Sequence, residues 1–219
     1  MNLIDETAFS IVTTPEYIYY ISRDKSNHRD RFYKADLKRI SEIDLSEYAE
    51  VKFRNAWRSI HSAYAECIHI TGGEVITCHF ESSVIYKHNS EGKKTLQYNI
   101  APPKIGFDTI YSITMDKHGH LWLAQPSSHY IGQYDLKTEQ ELFSLGGDYD
   151  NPTIFDYPEQ VRVYGDYVYV SDMGNHRICR IQIDTKQFEQ HLKFEEPVWE
   201  YAQFRGVEFV SLQSGLYSL

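Results

Sequence analysis

The chain has few cysteines, few basic residues and no long apolar run. Three cysteines, Cys67, Cys78 and Cys179, are too few and too odd for a disulfide framework. Lys and Arg total 22 against 31 Asp and Glu, which leaves a formal net charge of -9. A nucleic-acid backbone calls for a basic stripe, so that partner is not expected. No stretch approaches the roughly 20 apolar residues of a membrane span, and no membrane partner is expected. The first residues, MNLIDETAFSIV, show no basic start, no long apolar stretch and no small-residue cleavage site. A cytoplasmic protein is the expectation. A Gly-rich phosphate loop, HExxH, CxxC, G-x-S-x-G and the kinase signatures are all missing. No metal site and no cofactor are therefore expected.

The sequence does have aromatic, alternating strands. It holds 18 tyrosines and 11 phenylalanines, residues that favour pleated, half-buried surfaces. These strands recur. Sliding GDYVYVSDMGNHRICRIQIDT (165–185) back by 47 residues lays it over GHLWLAQPSSHYIGQYDLKT (119–138). Leu121, Trp122 and Leu123 fall under Val168, Tyr169 and Val170, His129 under His176, Ile131 under Ile178 and Thr138 under Thr185. Another alternating strand precedes and another follows each copy, so a unit holds four short strands. Such a repeat marks a propeller blade.

Five units fit the chain, at about 8–45, 62–100, 109–146, 159–195 and 199–219. The last lacks a fourth strand, which the N-terminal residues 2–8 can supply. The predicted fold is one all-β domain: a five-bladed propeller of four-stranded antiparallel blades, closed where the first strand pairs with the last blade. Closure hides the sheet edges that invite aggregation, so a monomer is expected. Between the first two units lies an extra segment, 45–66, predicted to carry a helical turn or an elaborated loop.

The stretch FDYPEQVRVYGDYVYVSDMGNHRICRI (155–181) resembles an NHL repeat: an aromatic and proline, a strand, a tight turn, an apolar strand ending in Ser-Asp, then Gly-Asn-His-Arg-Ile. IYSITMDKHGHLWLAQPSSHYIGQYDLKTEQ (110–140) resembles a repeat of the streptogramin-lyase type. Both resemblances imply a β-propeller. The second also implies a lyase- or lactonase-like enzyme with a divalent metal near the central channel. The histidine and glutamate set of those lyases does not map residue by residue onto this chain. The Glu/Asn/Asn/Asp cage of gluconolactonase-like propellers finds no counterpart.

His28, His129 and His176 each sit in the loop after a blade's second strand. Such loops share a face but stand apart around the ring, so each histidine is expected to hold its own loop. Asp172 and Arg177 fit a forked, structural ion pair. In ECIHITGGEVITCHF, a two-residue turn at Gly72–Gly73 would set Cys67 opposite Cys78 and His69 opposite Ile76. That pair is expected as two reduced thiols. Arg54, Trp57, Arg58 and His61 concentrate interface-type residues in the inserted segment. Phe107, Tyr149, Trp199 and Tyr201, with Phe155 and Tyr157, are candidates to line a shared concavity on the histidine face. Phe155, Tyr157 and Trp199 are also expected to seal blade against blade. The function these features favour is a non-catalytic module that binds a protein or peptide. The alternatives are the metal-dependent enzyme and an acidic partner that neutralises a basic toxin.

Overall fold

The structure, a computed structural model, describes residues 1–53, 66–69, 73–78, 84–100, 109–147 and 154–219. Among the described residues, twenty strands form five four-stranded antiparallel sheets, the blades of a five-bladed propeller. The last blade takes its outermost strand from the N-terminus, β1 (Asn2–Asp5). The first blade runs β2 (Ala8–Thr13), β3 (Ile18–Arg23), β4 (Asp30–Ala35) and β5 (Ile40–Ile43). Helix α1 (Leu45–Phe53) follows. The second blade is β6 (Glu66–His69), β7 (Val75–Cys78), β8 (Ile85–His88) and β9 (Lys94–Tyr98). The third is β10 (Ser112–Met115), β11 (Leu121–Gln125), β12 (Tyr130–Asp135) and β13 (Gln140–Gly146). The fourth is β14 (Pro158–Tyr164), β15 (Tyr167–Asp172), β16 (Arg177–Gln182) and β17 (Phe188–Lys193). β18 (Val198–Phe204), β19 (Val207–Leu212) and β20 (Gly215–Ser218) complete the fifth, where β20 pairs with β1.

The core is a set of slabs between neighbouring blades. Ile76 and Ile85 of the second blade pack on Leu121, Leu123 and Tyr130 of the third. Trp122, Ala124 and Ile131 pack on Val161, Val168, Val170 and Cys179 of the fourth, with Phe155 sealed between. Tyr169 and Ile178 meet Tyr201, Val210 and Leu212 of the fifth. Ala202, Phe204, Phe209 and Leu216 meet Ile11, Ile18 and Tyr20 of the first, across the point of closure. Each second strand is covered on both faces. That is why LWLAQ, Leu121 to Gln125, is buried throughout rather than alternating.

The inserted segment between the first two blades does contain a helix. Asp44 caps it: Asp44 Oδ1 accepts from Glu47 N at 2.8 Å, in the Asp-x-x-Glu spacing of a capping box. Tyr48 is buried against Tyr19 and Ile21, and its hydroxyl donates to Ser10 O at 3.0 Å.

The register of the second blade corrects the cysteine expectation. Glu66 lies opposite Cys78, Cys67 opposite Thr77, Ile68 opposite Ile76 and His69 opposite Val75. This register is one residue away from the one that a two-residue turn at Gly72–Gly73 would set. One residue of slip moves each cysteine to a different partner. Cys78 keeps a buried thiol, 3.9 Å from Ile110 O.

Candidate functional site

The first strands of the blades line the ring axis. Each starts at the end of the ring that carries the loops after the second strands, as the pairing of Pro158 with Asp172 shows for the fourth blade. Two chain-level devices shape that end.

One device is a series of three latches. Val161 N donates to Ser112 Oγ at 3.1 Å. Tyr201 N donates to Gln160 Oε1 at 2.8 Å. Ile11 N donates to Glu200 Oε2. A polar side chain near the start of three first strands thus accepts a backbone N–H from the next blade, from the third to the fourth, the fourth to the fifth and the fifth to the first. An unmet buried N–H donor is costly, and these latches satisfy theirs.

The other device includes two equivalent β-bulges, in the fourth and fifth blades. Glu159 is the extra residue between Pro158 and Gln160, which pair with Asp172 and Ser171. Trp199 is the extra residue between Val198 and Glu200, which pair with Leu212 and Ser211. A bulge re-aims a side chain out of the ladder. Here both bulged residues line the same cavity.

That cavity, of about 210 Å³, is lined by Phe9 and Ser10 of the first blade, Tyr111 and Ser112 at the third, Glu159 and Gln160 of the fourth, and Trp199 and Glu200 of the fifth. Residues of four blades can meet only at the axis. Trp199 and Tyr111 are 38% and 37% exposed, the most open side chains of its rim. Among the described residues no donor and no cation reaches the Glu159 carboxyl. Burial, with the Glu200 carboxylate adding to it, pushes that carboxyl up to about 7. Arg162 bonds Ser112 Oγ and Val161 O, both at 3.0 Å. Beside Trp199 a second cavity of about 350 Å³ opens, lined among others by Phe9, Arg23, Lys25 and His28.

The residues singled out from the sequence are placed as follows. His28, His129 and His176 occupy loops of three different blades with left-handed backbones, φ +56°, +50° and +52°. His129 O accepts from Gly147 N at 3.1 Å and His176 O from Phe194 N at 2.8 Å, equivalent bonds 47 residues apart. His129 Nδ1 also accepts from Tyr157 N at 3.1 Å. Among the described residues, no three His, Cys, Asp or Glu side chains converge as a metal site. Asp172 is fully buried. Its Oδ2 accepts from Arg177 Nε at 2.7 Å and Asn175 Nδ2 at 3.0 Å, and its Oδ1 from Asp156 N at 2.7 Å. Burial pushes that carboxyl up, and these three donors oppose the rise. Phe155 is buried in the seam, while Tyr157 is exposed and Trp199 stands at the mouth of the cavity.

Tyr201 is buried in the seam between the fourth and fifth blades. It is 1% exposed, stacked on Tyr169 with ring centroids 4.7 Å apart, and its hydroxyl donates to Glu208. Arg54, Trp57, Arg58, His61, Phe107 and Tyr149 lie outside the described residues. The sequence reading missed Glu159, Gln160, Glu200 and Tyr111. The available signal was the pair of segments PEQ (158–160) and VWE (198–200), acids set among strand-forming residues where a blade begins.

No protein-family model and no curated protein matches the sequence. Solved structures do match in fold. A streptogramin B lyase aligns at TM-score 0.54 and 16% identity, over 100% of this chain and 70% of that one. A catalytically inactive virginiamycin B lyase from Staphylococcus aureus, with quinupristin, aligns at TM-score 0.55 and 15% identity, over 100% of this chain and 72% of that one. A protein of unknown function from Bacteroides caccae aligns at TM-score 0.55 and 11% identity, over 93% and 70%. At such identities the likeness concerns the β-propeller fold. No helix among the described residues is long and apolar enough to cross a membrane.

Proposed function

We propose that the chain is a non-catalytic binding module that holds a protein or peptide partner on the face bearing the histidine loops. The observation that supports this is Trp199, a bulged, half-exposed indole shared by two adjoining cavities. Tryptophan is among the commonest interface anchors, and loops on a rigid scaffold are where binding concentrates. In this reading the module acts as a monomer in the cytoplasm and uses no cofactor. Its acidic surface selects against nucleic acid.

Co-purification from the native cell tests the face. A partner is expected to be captured by the wild type and by Lys117→Ala. Lys117 lies at the opposite end of the ring, tied to Asp166 and Asp184 at 2.8 and 2.7 Å. Capture is expected to fall at least tenfold with Trp199→Ala. Capture that Trp199→Ala leaves unchanged overturns the assignment of this face.

A further inference from the structure

A cavity of about 470 Å³ opens in the seam where the fifth blade meets the first. Its apolar walls are Ile4, Val207, Phe209 and Leu216 of the fifth blade and Ile18 and Ala35 of the first. Its mouth is the turn from Asp36 to Arg39, which follows a third strand and so lies at the end of the ring opposite the histidine loops. The volume is that of an ordinary small-molecule pocket.

Two differences from the fourth blade make this room. Ala35 pairs with Ile18 as Ile181 pairs with Val168, so a methyl group stands where the seam between the third and fourth blades holds an isoleucine side chain. Two residues after Ile18 comes Tyr20, where the fourth blade has Val170. A phenol at that position carries a polar atom into an apolar seam.

Tyr20 is 1% exposed and lines the cavity. Its ring is stacked on Tyr33, with centroids 5.3 Å apart and planes 20° apart, which fixes where the hydroxyl points. That hydroxyl has no hydrogen-bond partner among the described residues, and it is not one of the unpartnered atoms that lack accessible surface. The small surface that Tyr20 keeps therefore includes its oxygen, and the cavity is the space beside it. A buried hydroxyl without a partner is costly, so the site gains when an acceptor arrives. Burial and the Asp5 carboxylate hold the hydroxyl protonated, which makes it a donor. The same Asp5 charge disfavours an anion at that depth. At the mouth, Asp36 stands beside Lys38 and Arg39, so the entrance mixes both signs.

We propose that this seam binds a small neutral molecule with an apolar body and an oxygen acceptor, the body packed against Ile18, Val207 and Leu216 and the acceptor taking a hydrogen bond from Tyr20 Oη. The site is separate from the partner-binding face and does not depend on it.

The test is a titration followed by carbon-13 methyl NMR of Ile18, Val207 and Leu216, with three probes built on a phenylethyl group. 4-Phenylbutan-2-one carries a neutral carbonyl, 3-phenylpropanoate a carboxylate, and butylbenzene no oxygen. The ketone is expected to give saturable shifts at these methyls, to leave the Trp199 indole signal unmoved, and to bind more tightly than the carboxylate. Tyr20→Phe is expected to weaken the ketone by about threefold or more and to leave butylbenzene unchanged. It removes an atom that has no partner in the fold, so its thermal melt is expected at or above the wild-type value. Ala35→Ile fills the seam as Ile181 does in the fourth blade and is expected to abolish binding of all three probes. If Ala35→Ile does not fold, Tyr20→Phe carries the test alone. No saturable shift with the ketone, tighter binding of the carboxylate, or a Tyr20→Phe variant that binds the ketone as well as wild type each overturns the proposal. Equal weakening of ketone and butylbenzene by Tyr20→Phe does so too, because it would assign Tyr20 a packing role only.

Discussion

Glu159 shows what one misplaced charge costs. The folded chain holds its proton up to about 7, whereas the unfolded chain releases it near the ordinary glutamate value of 4.5. Between those values the folded state binds more protons than the unfolded one. Its stabilising contribution is complete below 4.5 and is lost as pH rises through 7. The groups that face it are the Glu200 carboxylate from β18, which reinforces the effect, and Tyr111 from the third blade, whose hydroxyl burial pushes up. Glu159→Gln removes the penalty. Chemical denaturation should show the variant more stable than wild type by about 1–3 kcal/mol at pH 8, after allowance for water screening at the mouth. The two should be equal near pH 4. A variant less stable at pH 8 would mean that Glu159 has a cationic partner in solution.

At the level of elements, latches and bulges decide what reaches the axis. Ser112→Ala strands Val161 N at a buried seam, a loss of about 1–3 kcal/mol. For a chain of this length a thermal melt should fall by roughly 3–10 °C. A melt within a degree of wild type would show that the latch contributes nothing. The same elements explain what was legible in the sequence. The 47-residue repeat was visible because it is written in loop residues and side-chain types, and equivalent bonds from Gly147 to His129 and Phe194 to His176 carry it into the structure. The cavity was not visible because bulges at Glu159 and Trp199 insert one residue and invert the alternation beyond them. Simple alternation along the sequence puts Tyr201 on one face with Trp199. In the folded blade it stacks in the core instead. The cysteine register failed by a one-residue slip, with His69 opposite Val75 rather than Ile76.

Across the whole molecule, closure holds the four contributing blades around one cavity. β1 joins the fifth blade where Gly215, at φ +138°, lets Asp5 and Glu6 approach so closely that a Cβ would collide with the Asp5 carbonyl. Gly215→Ala should therefore loosen the joint. Hydrogen exchange at residues 2–5 should accelerate at least tenfold, while β15 (Tyr167–Asp172), buried between its neighbours, stays protected. Unchanged exchange at 2–5 would mean that closure does not depend on this contact. A closed ring places Ser10, Ser112, Glu159 and Glu200 around one axis, and the Glu159 carboxyl is thereby held against a second carboxylate and away from bulk water. The most direct measurement is a carbon-13 NMR titration of the glutamate side-chain carboxyls, with Glu159 assigned by its absence in Glu159→Gln. One carboxyl titrating near pH 7 is the expected result. A Glu159 midpoint at the ordinary glutamate value would contradict a desolvated carboxyl beside Glu200 at the axis.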